Sequence, residues 1–238
     1  ITLDEKKKTF SITDTGLGMS QEDIEKYINQ IASSGAEDFL KKFKKSEDKA
    51  EIIGHFGLGF YSSFMVADTV SIESKSLDNK EPAVTWLGKQ DTSYEIKTST
   101  KKDVGTTITL HLNDDSLEYA KEETITNLIK KYANFLPIKI DVNSKESNDQ
   151  NPLWIKNALD LKKEDYTQFY SKLFPFSQEP LFWIHLNVDY PFRLQGILYF
   201  PQVMHELDSS KGRVQLYCQQ VFVTENVKMS TNPPDDNA

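Results

Sequence analysis

The sequence predicts an α/β protein in two units. The first is a two-layer α/β sandwich, a mostly antiparallel twisted sheet with helices on one face, and the second is the opening part of another α/β domain. Three observations carry this expectation. Apolar residues recur at period two in several short segments and at helical period in others. Two glycine-rich loops adjoin predicted helix starts. A polar stretch without periodicity, residues 144–152, reads as a linker between residues 1–143 and 153–228.

The chain opens as a hairpin, with Leu3 in the first arm, residues 4–8 as a polar turn, and Phe10 and Ile12 alternating on the second arm. After the loop at 14–19, Ser20-Gln21-Glu22-Asp23 fits a capping box, and the helix it starts carries Ile24, Tyr27, Ile28 and Ile31 on one stripe, stopped by Gly35. A short lysine-rich helix follows around Phe39, Leu40 and Phe43, and then a charged, mobile segment at 44–49. Residues 54–59 are glycine-rich and lead into an apolar helix over 60–67. Val70 and Ile72, Val84 and Trp86, Tyr94 and Ile96, and Ile108, Leu110 and Leu112 mark strands.

A helix is expected over about 117–134, with Ile125, Leu128, Ile129 and Tyr132 on one face and Pro137 after its end. Ile138, Ile140 and Val142 make one more strand. Beyond the linker, Tyr166, Phe169, Tyr170 and Leu173 mark a helix. Residues 181–186, 193–200, 214–217 and 221–224 form two strand pairs. The stretch 229–238, with Pro233-Pro234 and two aspartates, reads as a disordered tail.

Composition excludes several classes. Of 238 residues, 38% are hydrophobic and 27% charged, which supports a packed core rather than wholesale disorder. Lys+Arg is 28 against 36 Asp+Glu, a net charge of −8, which weighs against a protein that coats nucleic acid. Arg193 and Arg213 are the only arginines, so chemistry needing several bidentate arginine clamps is excluded. Cys218 is the single cysteine, which rules out an intramolecular disulfide and a cysteine-rich zinc site; its strand setting predicts a buried, inert thiol. No apolar run approaches the ~18 residues of a membrane span, which together with the cysteine usage points to a reducing compartment. The strand-like residues at Ile1 predict that the true start lies upstream.

Three strings carry chemistry. In Asp14-Thr15-Gly16-Leu17-Gly18-Met19, an aspartate at a strand end can accept a hydrogen bond from an exocyclic amine, and glycines let backbone pass close to a flat ligand. The same string also fits an ordinary turn. Gly54-His55-Phe56-Gly57-Leu58-Gly59-Phe60 places glycines before a helix, where free N–H groups and the helix dipole favour an anion; a hinge has the same composition. It lacks the lysine of a Walker A loop. Gly105-Thr106-Thr107-Ile108-Thr109-Leu110 is first of all a strand, though an inward threonine hydroxyl can bond a base or an ordered water. His55, His111, His185 and His205 have no metal spacing. Phe169, Tyr170, Phe174 and Phe176 read as core, and Trp183, Tyr190 and Phe192 as packing on the second sheet.

In this order, with Ile31-Ala32-Ser33-Ser34-Gly35 between the first two and Tyr61-Ser62 after the second, the strings resemble the nucleotide site of the 90-kDa heat-shock chaperones. These are a branch of the GHKL (Bergerat-type) ATPases, which include gyrase B, MutL and sensor histidine kinases. Pro152-Leu153-Trp154, residues 166–170, Pro180-Leu181, Ile197-Leu198-Tyr199-Phe200-Pro201, Leu216-Tyr217 and Val221-Phe222-Val223 resemble the start of the same family's middle domain.

The resemblance implies ATP or ADP bound between sheet and helices. Asp14 would bond the adenine amine, Gly18 and Thr106 would hold a water that completes recognition, and Gly16 and Met19 would lie at the base. Ser33, Ser34 and Gly35 would stand where the lid, residues 32–53, meets the pocket. Gly54, His55, Phe56, Gly57, Leu58, Gly59 and Phe60 would wrap the phosphates. It further implies a cytoplasmic, Mg²⁺-using, ATP-hydrolysing chaperone that binds unfolded client proteins and dimerises through a C-terminal domain, without nucleic-acid or membrane partners.

Some family features have no counterpart in the sequence. Asn29-Gln30 stands where Gly-Thr is common, and Ser33 where some members carry lysine. The family's general-base glutamate and Mg²⁺-ligand asparagine would precede residue 1, and its γ-phosphate arginine would follow residue 238. Glu5, Arg193 and Arg213 do not match them, so no catalytic or metal residue is assigned. Loss of a general base costs roughly 10²–10⁴ in rate, so the expectation is weak or no nucleotide binding and no turnover. The competing readings are a truncated, non-catalytic protein-binding module and, less favoured for want of a phosphoacceptor-histidine helix, a histidine-kinase-type phosphotransferase.

Overall fold

The computed structural model describes residues 1–30, 57–78, 80–190, 194–202, 215–218 and 220–225. The expected lysine-rich helix near Phe39, the lid, Phe192, Arg193, Arg213 and the tail lie outside the described residues. The chain divides into two compact units, residues 1–131 with 140–147, and residues 132–139 with 148–238.

The first unit is built on six antiparallel strands: β1 (Thr2–Asp4), β2 (Thr9–Thr13), β3 (Ala67–Lys75), β4 (Val84–Lys89), β5 (Tyr94–Thr98) and β6 (Gly105–Leu112). Their order across the sheet is β1-β2-β6-β3-β4-β5. Register aligns the period-two residues into rows. Phe10, Leu110 and Val70 lie side by side, and so do Ile12, Ile108, Ile72, Trp86 and Ile96. Because side chains alternate faces, these rows share one face, and burying them, apart from exposed Ile12 toward the sheet's edge, drives the layer to form.

Helix α1 (Gln21–Tyr27) covers that face. Its capping box forms as expected: Asp23 N donates to Ser20 Oγ at 3.2 Å and Ser20 N donates to Asp23 Oδ2 at 2.9 Å. Ile24 and Ile28 are buried with Val70, Ile72, Val84, Trp86, Leu110 and Leu112 in one apolar cluster. Trp86 Nε1 donates to Asn29 Oδ1 at 2.8 Å, tying the end of α1 to β4.

Two expected helices take other forms. The apolar segment after the second glycine loop is a 3₁₀ turn, Gly59–Met65. Ser62 Oγ donates to the Gly59 carbonyl at 2.6 Å and Ser63 Oγ to that of Phe60, which competes with an α-helical ladder, and Ala67 already pairs with Leu112 in the sheet. The expected helix over 117–134 is a 3₁₀ turn, Asp114–Ala120, then α2 (Glu122–Leu128), then a wider turn, Ile129–Ala133. Extended Lys121 (φ −90°, ψ 132°) separates the first two. Ile125 and Ile129 are buried as expected, whereas Leu128 and Tyr132 are exposed.

Val142 is in a strand, but Ile138 is exposed and outside one. Part of the stretch read as a linker forms a hairpin of β7 (Asp141–Val142) and β8 (Lys145–Glu146). Asn143 and Ser144 both have positive φ, the geometry of a two-residue hairpin turn.

The second unit packs α3 (Lys163–Leu173) on a hairpin of β9 (Phe182–Val188) and β10 (Leu194–Phe200). A further hairpin joins β11 (Leu216–Cys218) and β12 (Val221–Thr224). Its core is aromatic: Phe135 lies 4.6 Å from Trp154 between ring centroids, and Trp183 stacks on Tyr166 at 4.9 Å. His185 is a satisfied structural residue, 2.8 Å from the Tyr166 hydroxyl. Three expectations are corrected. Phe176 is fully exposed, because it follows Pro175 beyond the helix end and leaves the stripe that buries Phe169 and Tyr170. Tyr190, beyond the end of β9, is likewise exposed. Cys218 is exposed because it shares the outer face of β11 with Leu216, while Tyr217 turns toward Phe135 and Trp154.

Candidate functional site

The apolar rows of the first sheet end in a polar one. One step beyond the Thr13–Thr107 pair, Asp14 N donates to the Thr106 carbonyl at 2.9 Å, and Thr106 pairs in register with Ser74 on β3. Alternation puts Asp14, Thr106 and Ser74 on the same face as Ile12, Ile108 and Ile72, the face that α1 covers. Asp14 is exposed, Thr106 is buried and Ser74 is wholly buried.

Asp14 is held from two sides. Its Oδ1 accepts from Gly16 N at 2.8 Å, a local turn bond, and from Thr106 N at 3.3 Å. Among the described residues, Oδ2 takes no hydrogen bond, which leaves it able to accept from a ligand donor. Ser74 Oγ accepts from Met19 N at 2.7 Å and lies 2.9 Å from Thr106 Oγ1. The loop is thereby anchored to the sheet at both ends, and Leu77 N donates to the Leu17 carbonyl at 2.8 Å between them.

Two glycines are required by close approach of backbone to backbone. Gly18 has φ +64°, and a Cβ there would lie 1.9 Å from the Lys75 carbonyl oxygen. Gly105 has φ +123°, and a Cβ there would lie 2.3 Å from the Asp14 carbonyl oxygen. Their first task is to let loop 14–19 lie against the ends of β3 and β6. Gly16 leaves more room, with a Cβ meeting Asp14 Oδ1 at 3.0 Å.

The second glycine loop is described from Gly57 onward; Ser33, Ser34, Gly35, Gly54, His55 and Phe56 lie outside the described residues. Gly57 has positive φ, Leu58 is exposed, and Gly59 would accept a Cβ without contact. Phe60 points its ring into the core, 5.6 Å from Trp86, so only its backbone can serve a ligand. The Tyr61 hydroxyl donates to the Ile28 carbonyl, which ties this loop to the end of α1, and burial pushes its pKa up. Met19 is half-buried against the same core cluster.

Ser74 is the residue that sequence reasoning misses. The available signal is a serine at the position where the Val70, Ile72 alternation calls for another apolar side chain. Among the described residues no three His, Cys, Asp or Glu side chains come together to hold a metal ion, and no step is assigned to one here. No helix among them is long and apolar enough to cross a membrane.

The first unit is thus a six-stranded antiparallel sheet carrying a capped helix, with an aspartate-centred polar row at the sheet's end. Residues 1–134 match the family described as histidine kinase-, DNA gyrase B-, and HSP90-like ATPase, and the chain belongs to that family. Residues 138–231 match the Hsp90 protein family. The chain is 46% identical to Chaperone protein HtpG of Porphyromonas gingivalis, over 96% of this chain and 35% of that protein. It is 47% identical to Chaperone protein HtpG of Bacteroides thetaiotaomicron, over 93% of this chain and 34% of that one. For the namesake in Desulfitobacterium hafniense the identity is 36%, over 96% and 38%. The chain thus spans little more than a third of the length of these curated relatives.

Proposed function

We propose that this chain carries the adenine-nucleotide site of an ATP-dependent molecular chaperone. The observation that carries the reading is Asp14: two backbone N–H groups fix its Oδ1 while Oδ2 has no partner among the described residues. A carboxylate so oriented is prepared to accept from the exocyclic amine of adenine without reorganising. Gly16, Gly18, Met19 and Thr106 complete the base side. Gly57, Leu58, Gly59 and the Phe60 backbone, with Gly54, His55 and Phe56, serve the phosphates, and Ser33, Ser34 and Gly35 begin the lid. Binding, not turnover, is the activity assigned to these residues. In the whole protein, ATP hydrolysis with Mg²⁺ drives lid and domain closure around unfolded client proteins, in a cytoplasmic homodimer.

Calorimetric titration with ADP and with ATP·Mg²⁺ tests the reading. Weak but saturable heat is expected from the unaltered chain and none from Asp14→Asn. Circular dichroism of a folded sample that gives no heat with either nucleotide overturns it.

A further inference from the structure

Ser74 closes the polar row on β3, beside Thr106 on β6, and its hydroxyl touches both Met19 N and Thr106 Oγ1. Its side chain is wholly buried, and Thr106 beside it is 5% exposed, so water does not compete for the bond between them. A hydroxyl has one proton to give and two lone pairs to receive with. Met19 N–H, which can only donate, occupies one lone pair of Ser74 Oγ at 2.7 Å. Two acceptors remain in reach of the Ser74 proton: Thr106 Oγ1 at 2.9 Å and the Gly105 carbonyl at 3.4 Å. Hydroxyl hydrogen bonds are strong near ~2.8 Å and poor beyond ~3.0 Å, so the distances favour Thr106 over the Gly105 carbonyl as the acceptor of this proton.

That arrangement gives Thr106 a polarity. Once its oxygen accepts from Ser74, its own proton is free to be given away. We infer that Ser74 sets the Thr106 hydroxyl as a donor, and that Ser74 is thereby a positioning residue that adds to the preference for adenine over guanine begun by Asp14. The inference rests on the nucleotide reading above. Asp14 and Thr106 are neighbours across the ladder, bonded through both backbone and side chain, so the site offers an acceptor next to a donor. Adenine presents the matching edge, an amine donor at N6 beside an acceptor at N1. Guanine presents the reverse, an acceptor at O6 beside a donor at N1. A bridging water that accepts from Thr106 still has both protons, one of which it can donate to N1. A mismatched base would leave the Asp14 carboxylate facing a carbonyl oxygen, and sites built on paired polar groups reject such analogues strongly.

The test is the ratio of ADP to GDP affinity, measured by calorimetry on the unaltered chain and on Ser74→Ala, Ser74→Cys and Ser74→Thr. In Ser74→Ala the Thr106 hydroxyl is free to turn, and the ADP:GDP ratio is expected to fall about tenfold, mostly through weaker ADP binding. Ser74→Thr keeps the hydroxyl and restores the ratio. Ser74→Cys keeps the size but is a weak donor; it lowers the ratio and serves where Ser74→Ala does not fold. A purely structural role would weaken both nucleotides alike. Equal losses for ADP and GDP, or a ratio unchanged in both Ala and Cys variants, overturn the inference while leaving the nucleotide reading in place. An unaltered chain that is folded and binds neither nucleotide overturns both.

Discussion

Asp14 and Thr106 hold each other twice across the β2–β6 ladder. Asp14 N donates to the Thr106 carbonyl at 2.9 Å, and Thr106 N donates back to Asp14 Oδ1 at 3.3 Å. One bond continues the sheet, and the other ends it by turning the aspartate side chain into an acceptor for backbone. The last rung of the sheet is therefore also the first element of the site.

This double role separates two substitutions at Asp14. Asp14→Ala removes the acceptor for Gly16 N and Thr106 N, and at this exposed position is expected to cost about 1 kcal/mol in urea unfolding. Asp14→Asn keeps an amide oxygen in place of Oδ1 and is expected to stay within about 0.5 kcal/mol. Both are expected to abolish ADP heat. A stability loss for Asn equal to that for Ala would mean the charge, not the geometry, holds the turn.

Gly18→Ala tests the fit of the loop against the sheet. Its Cβ would lie 1.9 Å from the Lys75 carbonyl oxygen at a φ of +64°, so backbone must move. The strain of such a residue is about 1–3 kcal/mol, and displacing the loop also breaks the bond from Met19 N to Ser74. The urea midpoint is expected to drop with unchanged slope, and ADP heat to vanish. Gly59→Ala is the contrast. Its Cβ meets nothing within 4 Å, so stability is expected to stay within about 0.5 kcal/mol, and any loss of ADP affinity reports the phosphate side alone.

The Trp86 indole occupies the space a side chain at residue 88 would need. A Cβ at Gly88 would lie 2.0 Å from Trp86 Cη2. Gly88→Ala is expected to push the ring out of its place against Phe60, at about 1–3 kcal/mol, with a red shift in tryptophan emission. Asn29→Ala is expected to destabilise to a similar degree without displacing the ring. It leaves the Trp86 N–H without its 2.8 Å partner, at a cost of about 1–3 kcal/mol if no water replaces it. Unshifted emission in Gly88→Ala would contradict the packing described here.

Alkali is expected to weaken the second unit. Burial pushes the hydroxyls of Tyr199 and Tyr217 above the ordinary tyrosine value of 10.0. The native state thus keeps these protons more tightly than the unfolded chain does. Their stabilising contribution is complete below pH 10.0 and is lost as pH rises from there through the higher native values. Thermal midpoints are expected to fall above that pH, and Tyr199→Phe to fall less steeply, although it gives up the bond to the Tyr166 carbonyl. An identical alkaline fall in Tyr199→Phe would place the sensitivity elsewhere.

Local features are legible in the sequence wherever a residue's partner is near it in the chain. The Ser20–Asp23 box closes over three residues, and the alternation of Val70 and Ile72 or of Leu110 and Leu112 follows from the strand's own period. The broken helix at 114–133 and the 3₁₀ turn at Gly59–Met65 escape the same reading. Their apolar spacing is helical, but extended Lys121 breaks the first, and serine hydroxyls and an early strand start decide the second. Phe176 and Cys218 look buried by composition and stand exposed, because burial depends on which neighbour is opposite.

By itself the sequence determined the fold class, the strand and loop order, and the identity of Asp14, Gly18 and Thr106 as candidates. Each is a local pattern, or a string specific enough to mark a family. Tertiary structure alone decided that Asp14 and Thr106 form one row with Ser74. Met19 and Thr106, the partners of that serine, are 55 and 32 residues away. Only the register of β2, β6 and β3 brings them together, and a one-residue slip in that register would turn the row to the opposite face.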